Sequence, residues 1–297
     1  MTISETPDPA RNLATTLPCW RSEVDPEPLA GGLSNSNFVV DDAGERFVVR
    51  VGGDVPEHNL ERARDIAVSK AAYLSGLSPE PIHAQPDAQV IRWIEGKTLT
   101  EVDVNAPGML ERIVPLIHKC HFELPRHLTG RTYSFDGLEA CSAYGKALVK
   151  NNYRLSNDVP ALLALGQQMA NAASGPEAVF CHNDFLAANL IDDGSRLWLI
   201  DWEYGGFNNP LFDLANLASN NNLEPASARH LLDLYFDSSV DDFLWRQFTA
   251  MKVLSLLREA MWSMTAEMHS HLDFDYSAYT DEQLARLDAV RAEFDVL

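Results

Sequence analysis

Four polar side chains that could carry out acid–base and metal chemistry stand in one stretch of the sequence: His182, Asp184, Asn189 and Asp201. Asn189 follows Asp184 by five positions, and Asp201 follows it by seventeen. A carboxylate can accept the proton of an attacking hydroxyl, while two further oxygen ligands, one of them charged, can hold Mg²⁺ on nucleotide phosphates. The stretch therefore offers Asp184 as a base and Asn189 with Asp201 as metal ligands.

The order of these groups is typical of a kinase catalytic loop, in which an Asp is followed five positions later by a metal-binding Asn and then by a second Asp. Apolar runs at 178–181, 189–191 and 197–200 predict short strands around the block. Asp and Asn are also common at caps and turns, and an isolated pair would be interpreted in that way. The joint spacing favours phosphoryl transfer.

The elements that position this block divide the chain into a strand-rich part and a helical part. Apolar runs at 38–40 and 46–51 around an Asp/Gly turn predict a β-hairpin, and 89–94 predicts a further strand. Residues 1–20 are predicted to be a polar lead-in. Helices are predicted at 60–74, 109–122, 140–153, 161–173, 226–236 and 244–269. We therefore predict an α+β fold with two lobes, a small antiparallel-sheet lobe at 1–95 and a larger, mostly helical lobe at 96–297.

Composition excludes several classes of protein. The chain has 297 residues and a formal net charge of −20, which disfavours nucleic acid and anionic membrane surfaces as partners. We see no apolar run near the roughly 20 residues that cross a bilayer, and no signal peptide at the start. Four cysteines lie far apart without a C-x-x-C pair, which argues against a zinc site or disulfides and predicts a reducing, cytoplasmic location.

The chain resembles the choline/ethanolamine kinases, within the aminoglycoside phosphotransferase-like branch of the protein-kinase-like fold. The resemblance runs from about residue 29 to 279, and it is carried by the following motifs: residues 31–37 (Gly-Gly-Leu-Ser-Asn-Ser-Asn), 47–50 (Phe-Val-Val-Arg), 182–184 (His-Asn-Asp), Asn189, 200–204 (Ile-Asp-Trp-Glu-Tyr), 210–216 (Pro-Leu-Phe-Asp-Leu-Ala-Asn) and 257–262 (Leu-Arg-Glu-Ala-Met-Trp). It implies a small-molecule kinase that uses ATP and Mg²⁺, with the small lobe binding the nucleotide.

The resemblance also implies roles for single residues. Asp184 is the catalytic base, Asn189 and Asp201 bind Mg²⁺, and Asp213 braces the loop. His182 either orients the loop or is a buried structural histidine. Nucleotide-binding residues are expected at these positions: Gly31, Gly32, Ser34, Asn35, Ser36, Asn37, Arg50, Asp65, Trp93 and Ile94. Arg50 contacts the phosphates, and its helix partner is Asp65 or, one turn earlier, Glu61. Adenine docks near Arg92, Trp93 and Ile94, mostly through backbone groups.

The acceptor is expected to be a small alcohol, and the acidic chain favours a cationic one such as choline, ethanolamine or another amino alcohol. Aromatic faces and a carboxylate recognise such a cation. The candidates are Trp202, Tyr204, Trp262, Tyr276 and Glu203. The four aromatic residues could instead pack the core or lie in a solvated loop, and Glu203 could support the metal from behind. The oligomeric state stays open.

One departure from the family concerns residues 185–188, Phe-Leu-Ala-Ala, where similar enzymes often carry a polar residue before the Asn. This change leaves Asp184, Asn189 and Asp201 intact, so it affects the identity of the acceptor and not the phosphoryl transfer. The alternatives are another small acceptor (an aminoglycoside, a sugar or homoserine) and a non-catalytic member that binds a nucleotide or an amine. A purely structural protein would leave the Asp and Asn spacing unexplained.

Overall fold

The structure is a computed structural model that describes residues 8–30, 35–175, 177–270 and 274–297. Its smaller part is an antiparallel sheet with strand order β1-β2-β3-β5-β4. The helix α1 precedes this sheet, and α2 connects β3 to β4. The bounds of these elements are α1 (Pro9–Thr15), β1 (Glu27–Pro28), β2 (Ser36–Asp42), β3 (Glu45–Val51), α2 (Arg62–Leu74), β4 (Pro81–Gln85) and β5 (Ala88–Arg92).

The predicted hairpin forms between β2 and β3 and gives the sheet two different faces. Ala43 and Gly44 have φ angles of 51° and 85°, the left-handed values that a tight two-residue hairpin turn requires. Alternate residues such as Val40 and Val49 are buried in the smaller hydrophobic core. Because side chains alternate along a strand, Arg50 lies on the opposite face, which is turned toward the site described below.

The prediction of a polar lead-in at the N-terminus is wrong for its described residues. Residues 9–15 form α1, and Ala14 and Leu17 are buried against the outer face of the sheet. The indole of Trp20 donates to the carbonyl of Ala14 at 2.8 Å and packs on the ring of Phe47 at 5.8 Å. This face of the sheet is apolar, so it requires a cover, and the N-terminal segment supplies it.

The larger part consists mainly of helices, with short strands near its mouth. Its helices are α3 (Glu101–Val104), α4 (Met109–His118), α5 (Gly137–Lys150), α6 (Val159–Ala172), α7 (Pro210–Asn220), α8 (Pro225–Phe236), α9 (Asp242–His269) and α10 (Tyr276–Asp295). Its strands are β6 (Lys97–Thr98), β7 (Val179–Cys181), β8 (Leu190–Asp192), β9 (Leu197–Leu199) and β10 (Gly206–Asn208). The predicted α+β fold, with a small antiparallel sheet and helical bulk, is confirmed.

Helix α9 is the centre of the larger core, and most of its residues are buried around the whole circumference. Helices α5, α6, α7 and α10 pack around it. The sequence prediction found α9 but assigned no helix at α7 or α10. In α10 only every third or fourth residue faces the core, which weakens the apolar pattern on which the prediction depends.

The two parts of the molecule share helix α2. Val68, Ala71 and Ala72 of this helix are buried in the same hydrophobic core as α9, although α2 lies between two strands of the sheet in sequence. The division of the chain near residue 95 stays a prediction. Among the described helices, none combines the length and apolar character that crossing a bilayer requires.

Candidate active site

The loop after β7 is held in place by a buried carboxylate. Asp213, in the first turn of α7, accepts the backbone N–H groups of His182 and Asn183, each at 2.7 Å. Asn183 has a left-handed φ of 66°, and its side-chain amide donates to the carbonyl of Tyr204 at 2.9 Å. The expectation that Asp213 braces the loop is confirmed.

His182 connects this loop to the end of β9. Its ring is fully buried, its Nε2 donates to the carbonyl of Ile200 at 2.9 Å, and its Nδ1 accepts the N–H of Asp184 at 3.3 Å. Burial lowers the pKa of His182, which keeps the imidazole in the neutral form that these two bonds require. Since both ring nitrogens bond to backbone, His182 has the geometry of a positioning residue.

The structure brings Asp184, Asn189 and Asp201 together at the mouth of the larger part. The side-chain amide of Asn189 donates to the carbonyl of Asp184 at 2.9 Å, and its backbone carbonyl accepts the N–H of Ile200 at 3.0 Å. This second bond brings Asp201, which follows directly and has a φ of 70°, beside the loop.

The donor set at this point fits a magnesium ion. With its nitrogen bonded to a carbonyl, Asn189 presents its amide oxygen as a ligand, and Asp201 adds a carboxylate whose side chain is 32% exposed. Oxygen atoms of this kind are the ligands that Mg²⁺ prefers in proteins.

Asp184 has a buried cationic partner that the sequence reasoning missed. Nη2 of Arg258, on α9, donates to the carbonyl of Asn183 at 2.9 Å and to Oδ1 of Asp184 at 3.2 Å. Burial raises the pKa of Asp184 to about 7, and the charge of Arg258 opposes this rise. Arg258 belongs to a motif that carried the resemblance, but no role was assigned to it, because 74 positions separate it from Asp184.

Arg50 reaches across from β3 to the metal side of the site. Its Nη2 lies 2.8 Å from Oδ1 of Asp201 and 2.9 Å from Oε1 of Glu203. Its Nη1 lies 3.6 Å from Asp65 on α2, whereas Glu61 pairs with Arg131 at 2.9 Å. Of the two predicted helix partners, the structure brings Asp65 to Arg50.

Glu203 is a buried junction between three segments of the chain. Its Oε1 accepts from Asn35 at 2.7 Å, from Arg50 at 2.9 Å and from Arg62 at 2.7 Å. Arg62, which the sequence reasoning did not single out, also lies 3.4 Å from Asp65. With these contacts Glu203 is surrounded by arginines next to Asp201. Its position therefore fits the expectation that it supports the metal site, and it does not fit the expectation that it contacts the cation of the acceptor.

The remaining nucleotide-binding predictions fall on the sheet and its following segment. Gly31, Gly32 and Ser34 lie outside the described residues. Ser36 and Asn37 begin β2, and Asn37 is opposite Arg50 in the strand register. After β5, the N–H of Trp93 donates to the carbonyl of Arg46 at 3.0 Å, and the side chains of Trp93 and Ile94 border a cavity of about 590 Å³ that is also lined by Pro79, Arg196 and Trp198.

Half-buried aliphatic side chains on the Arg50 face are candidates that the sequence reasoning missed. Val39, Val48 and Ile91 occupy neighbouring strands, and Val48 is opposite both Val39 and Ile91 in the register. Val48 is two positions before Arg50, so the two side chains point to the same face of the sheet. The alternation within the predicted hairpin was a signal that could have identified this apolar patch.

The structure corrects the prediction that Trp202 contacts substrate. This residue is 1% exposed, its indole donates to the hydroxyl of Ser78 at 2.7 Å, and its ring packs on His182 at 4.7 Å. Tyr204 is also buried, and its ring lies 4.8 Å from the guanidinium of Arg258. Trp202 therefore packs in the core, as the alternative expectation had it. The ring of Tyr204 packs beside Arg258, the arginine that contacts Asp184.

Trp262 and Tyr276 belong to an aromatic cluster beside Arg258. Their ring centroids are 6.3 Å apart, and the ring of His58 lies 5.2 Å from that of Trp262. Trp262 is half-buried and Tyr276 is buried. Burial, with a contribution from the charge of Arg258, lowers the pKa of His58 to about 4, so this ring is uncharged at neutral pH.

Glu259 supplies a carboxylate next to this cluster and was also missed. Its Oε2 accepts from Nη1 of Arg258 at 2.7 Å, and its Oε1 accepts the hydroxyl of Tyr279 at 2.9 Å. Tyr279 lies three positions after Tyr276, on α10. Aromatic rings with a nearby carboxylate can bind an organic cation, and here the carboxylate of Glu259 directly follows the arginine that contacts Asp184.

Comparison with known proteins agrees with this geometry. Residues 27–288 match the family model described as choline/ethanolamine kinase. Protein LicA of Haemophilus influenzae is 27% identical over 275 residues, which cover 87% of this chain and 77% of that protein. A probable ethanolamine kinase A of Dictyostelium discoideum is 25% identical over 313 residues, which cover 94% of this chain and 90% of that protein.

Solved structures show the same fold. A choline/ethanolamine kinase family protein from Mesorhizobium loti matches with a TM-score of 0.76 and 25% identity, over 96% of this chain and 95% of that one. LicA in complex with AMP matches with a TM-score of 0.73 and 20% identity, over 95% of this chain and 97% of that one. A spectinomycin phosphotransferase matches with a TM-score of 0.59 and 13% identity, over 97% of this chain and 95% of that one. The predicted protein-kinase-like fold is confirmed.

Proposed function

Because this chain belongs to the choline/ethanolamine kinase family and is a phosphotransferase with an alcohol group as acceptor, we propose that it uses ATP and Mg²⁺ to phosphorylate the hydroxyl of choline or a related amino alcohol. The observation that carries this proposal is the convergence of Asp184, Asn189 and Asp201 beside an aromatic cluster with a carboxylate.

Asp184 is the proposed catalytic base. Its side chain is 19% exposed, so a hydroxyl can reach one carboxylate oxygen while Arg258 contacts the other. A pKa of about 7 suits proton transfer at neutral pH, since the group both accepts and releases a proton there. His182 positions the loop, and Arg258 with Glu259 fixes the carboxylate of Asp184 relative to the acceptor.

Asn189 and Asp201 are the proposed magnesium ligands, through the amide oxygen and the carboxylate. Bound there with the nucleotide, Mg²⁺ neutralises charge on the phosphates. Arg50 contributes a guanidinium that can contact two phosphate oxygens, and Asp65 and Glu203 hold that guanidinium from behind.

The nucleotide is proposed to bind between the sheet and the larger part. The segment of Gly31, Gly32 and Ser34, with Asn35, Ser36 and Asn37, covers the phosphates, and Trp93 and Ile94 lie beside the adenine. Val39 and Val48 provide an apolar wall on the Arg50 face. The AMP complex of LicA, which has the same fold, supports nucleotide use.

The amine end of the acceptor is proposed to bind at Trp262 and Tyr276, with Glu259 as the carboxylate. Each cation–π contact contributes on the order of 0.5–2 kcal/mol, and the net charge of −20 attracts a cation to the protein. Proteins named ethanolamine kinase and choline kinase among the relatives favour an amino alcohol over a sugar or an aminoglycoside.

Residues 1–95 are proposed to act as the nucleotide-binding lobe and 96–297 as the acceptor lobe, which close together to exclude water from the reaction. We also propose a cytoplasmic location, which the four free thiols support.

The experiment that tests the function is acceptor profiling with labelled ATP and Mg²⁺. We expect Mg²⁺-dependent phosphorylation of choline or ethanolamine, with kcat/KM higher than for an aminoglycoside, a sugar or homoserine. A higher kcat/KM for one of those acceptors would overturn the proposed substrate. ATP consumption that is unaffected by EDTA would contradict the magnesium requirement.

A further inference from the structure

A second cavity, with a basic lining, lies beside the first residue of β9, Leu197. It has a volume of about 260 Å³, and the side chains of Arg112, Lys119 and Arg196 line it together with the hydroxyl-bearing Ser195. These cations come from α4, from the helical turn that follows it, and from the β8–β9 hairpin. In a chain with 23 basic and 43 acidic residues, three converging cations are a local reversal of the overall charge.

Arg112 and Arg196 are held in place by contacts with the protein, while Lys119 and Arg196 are open to a ligand. Arg112 makes a bidentate ion pair with Asp192, with its Nη1 2.6 Å from Oδ2 and its Nη2 2.8 Å from Oδ1. Across residues 8–30, 35–175, 177–270 and 274–297, neither Lys119 nor Arg196 has a carboxylate within ion-pair distance. The guanidinium carbon of Arg196 stacks 3.3 Å above the ring of Trp198.

The hairpin that presents Arg196 is also ordered by its own hydrogen bonds. Asp193 accepts the backbone N–H groups of Ser195 and Arg196, each at 2.8 Å, and the indole N–H of Trp198 at 2.7 Å. Stacking on Trp198 occupies one face of the guanidinium and leaves its N–H edges available. The charge is therefore fixed before any ligand arrives, which reduces the entropy lost on binding.

We propose that this cavity is a binding site for a small phosphate ester with a compact apolar group. A phosphate dianion offers enough acceptor oxygens for Arg196 and Lys119 at once, and guanidinium groups match its geometry. The apolar wall is formed by Leu77, Leu116 and Leu197, beside Pro115. Its lining contains none of Asp184, Asn189, Asp201 and Arg50, although Gly76 and Arg196 also line the cavity beside Trp93 and Ile94. The proposal does not depend on the proposed function.

The walls of this cavity are joined to the metal side of the active site. Leu77 accepts the N–H of Leu199 at 2.9 Å, and Leu197 begins the strand β9 that leads to Asp201. A ligand held between Leu77 and Leu197 strengthens this pairing. Hydrogen exchange at the Leu199 amide is therefore a local reporter of occupancy.

The test is calorimetric titration of the full chain with phenyl phosphate in the absence of metal, with inorganic phosphate and benzoate as comparison ligands. We expect saturable binding of phenyl phosphate, at least roughly tenfold tighter than either comparison ligand, and slower exchange at Leu199. Arg196→Gln and Lys119→Gln each weaken binding by roughly tenfold, because a charge-assisted bond is lost. The matched control Lys146→Gln, an exposed lysine on α5, leaves it unchanged.

Arg50→Gln distinguishes this cavity from the active site, and phenyl phosphate binding is expected to persist in that variant. Loss of binding in Arg50→Gln, equal affinity for benzoate, or no effect of Arg196→Gln and Lys119→Gln would each overturn the proposal. Sedimentation with phosphatidic acid vesicles that depends on Arg196 would contradict a soluble ester as the ligand.

Discussion

Nη2 of Arg50 lies 2.8 Å from Oδ1 of Asp201, so the groups proposed to hold the phosphates and the metal are bonded to each other. Glu203 and Asp65 share the same guanidinium. Binding of a nucleotide with its metal must exchange this ion pair for contacts of Arg50 with phosphate and of Asp201 with the cation. The pair therefore couples the two binding events.

This coupling predicts how the free protein binds a divalent cation. Arg50→Gln removes the charge that competes for Asp201, so we expect tighter binding of Mn²⁺ without nucleotide, measured by electron paramagnetic resonance. Asp201→Asn removes a charged ligand and should weaken Mn²⁺ binding by at least roughly tenfold. Unchanged Mn²⁺ affinity in both variants would contradict the assignment of Asp201, and Lys146→Gln is the control.

Asp184 is predicted to set the pH dependence of turnover. The base must be ionised to accept a proton, so kcat is expected to rise with pH and level off above about 7, the pKa that burial gives this carboxyl. The folded protein holds this proton at pH values where an ordinary carboxyl, with a pKa near about 4, has lost it. The contribution of Asp184 to the free energy of unfolding therefore falls as pH rises from about 4 to 7, and Asp184→Asn should remove this slope in denaturant titrations.

Arg258 is predicted to position Asp184 and to hold its pKa down. Without the guanidinium, the carboxyl titrates at a higher pH, so the rising limb of the kcat profile should move to higher pH in Arg258→Gln. Arg258→Lys keeps the positive charge, so it should return the rising limb of the kcat profile part of the way to its original pH. A profile that stays in place while kcat falls would indicate a structural role alone, and thermal unfolding of both variants checks the fold.

Trp262 is predicted to bind the amine end of the acceptor. Trp262→Leu should raise the KM for choline by roughly 2- to 30-fold, the equivalent of one lost cation–π contact, and leave the KM for ATP unchanged. Phe243→Leu, at a position that is 70% exposed on the same helix, is the matched control. A parallel rise in both KM values would point to loss of structure instead.

The sequence predicts that three polar side chains of the site converge because their positions are close along the chain. Asp184, Asn189 and Asp201 lie within one strand–loop–strand unit, and the bond between the backbone of Asn189 and Ile200 brings them together. The resemblance assigns Arg50 to the phosphates, and the alternation of side chains along β3 is consistent with its position beside Asp201.

Other parts of the site depend on contacts between distant segments. Trp202 stands between Asp201 and Glu203 in a stretch without regular structure, so no periodicity indicates that its ring turns into the core against Ser78. The pairing of Arg258 with Asp184 spans 74 positions and follows from how α9 packs. Local patterns carry no information on such pairs.

Phosphoryl transfer from labelled ATP to choline or ethanolamine, compared between the unaltered protein and Asp184→Ala, tests the central claim most directly. The unaltered protein should form the phosphate ester only with Mg²⁺. Asp184→Ala should lower turnover by roughly 100- to 10,000-fold while ATP still binds. Near-normal turnover in Asp184→Ala would contradict the assignment of the base.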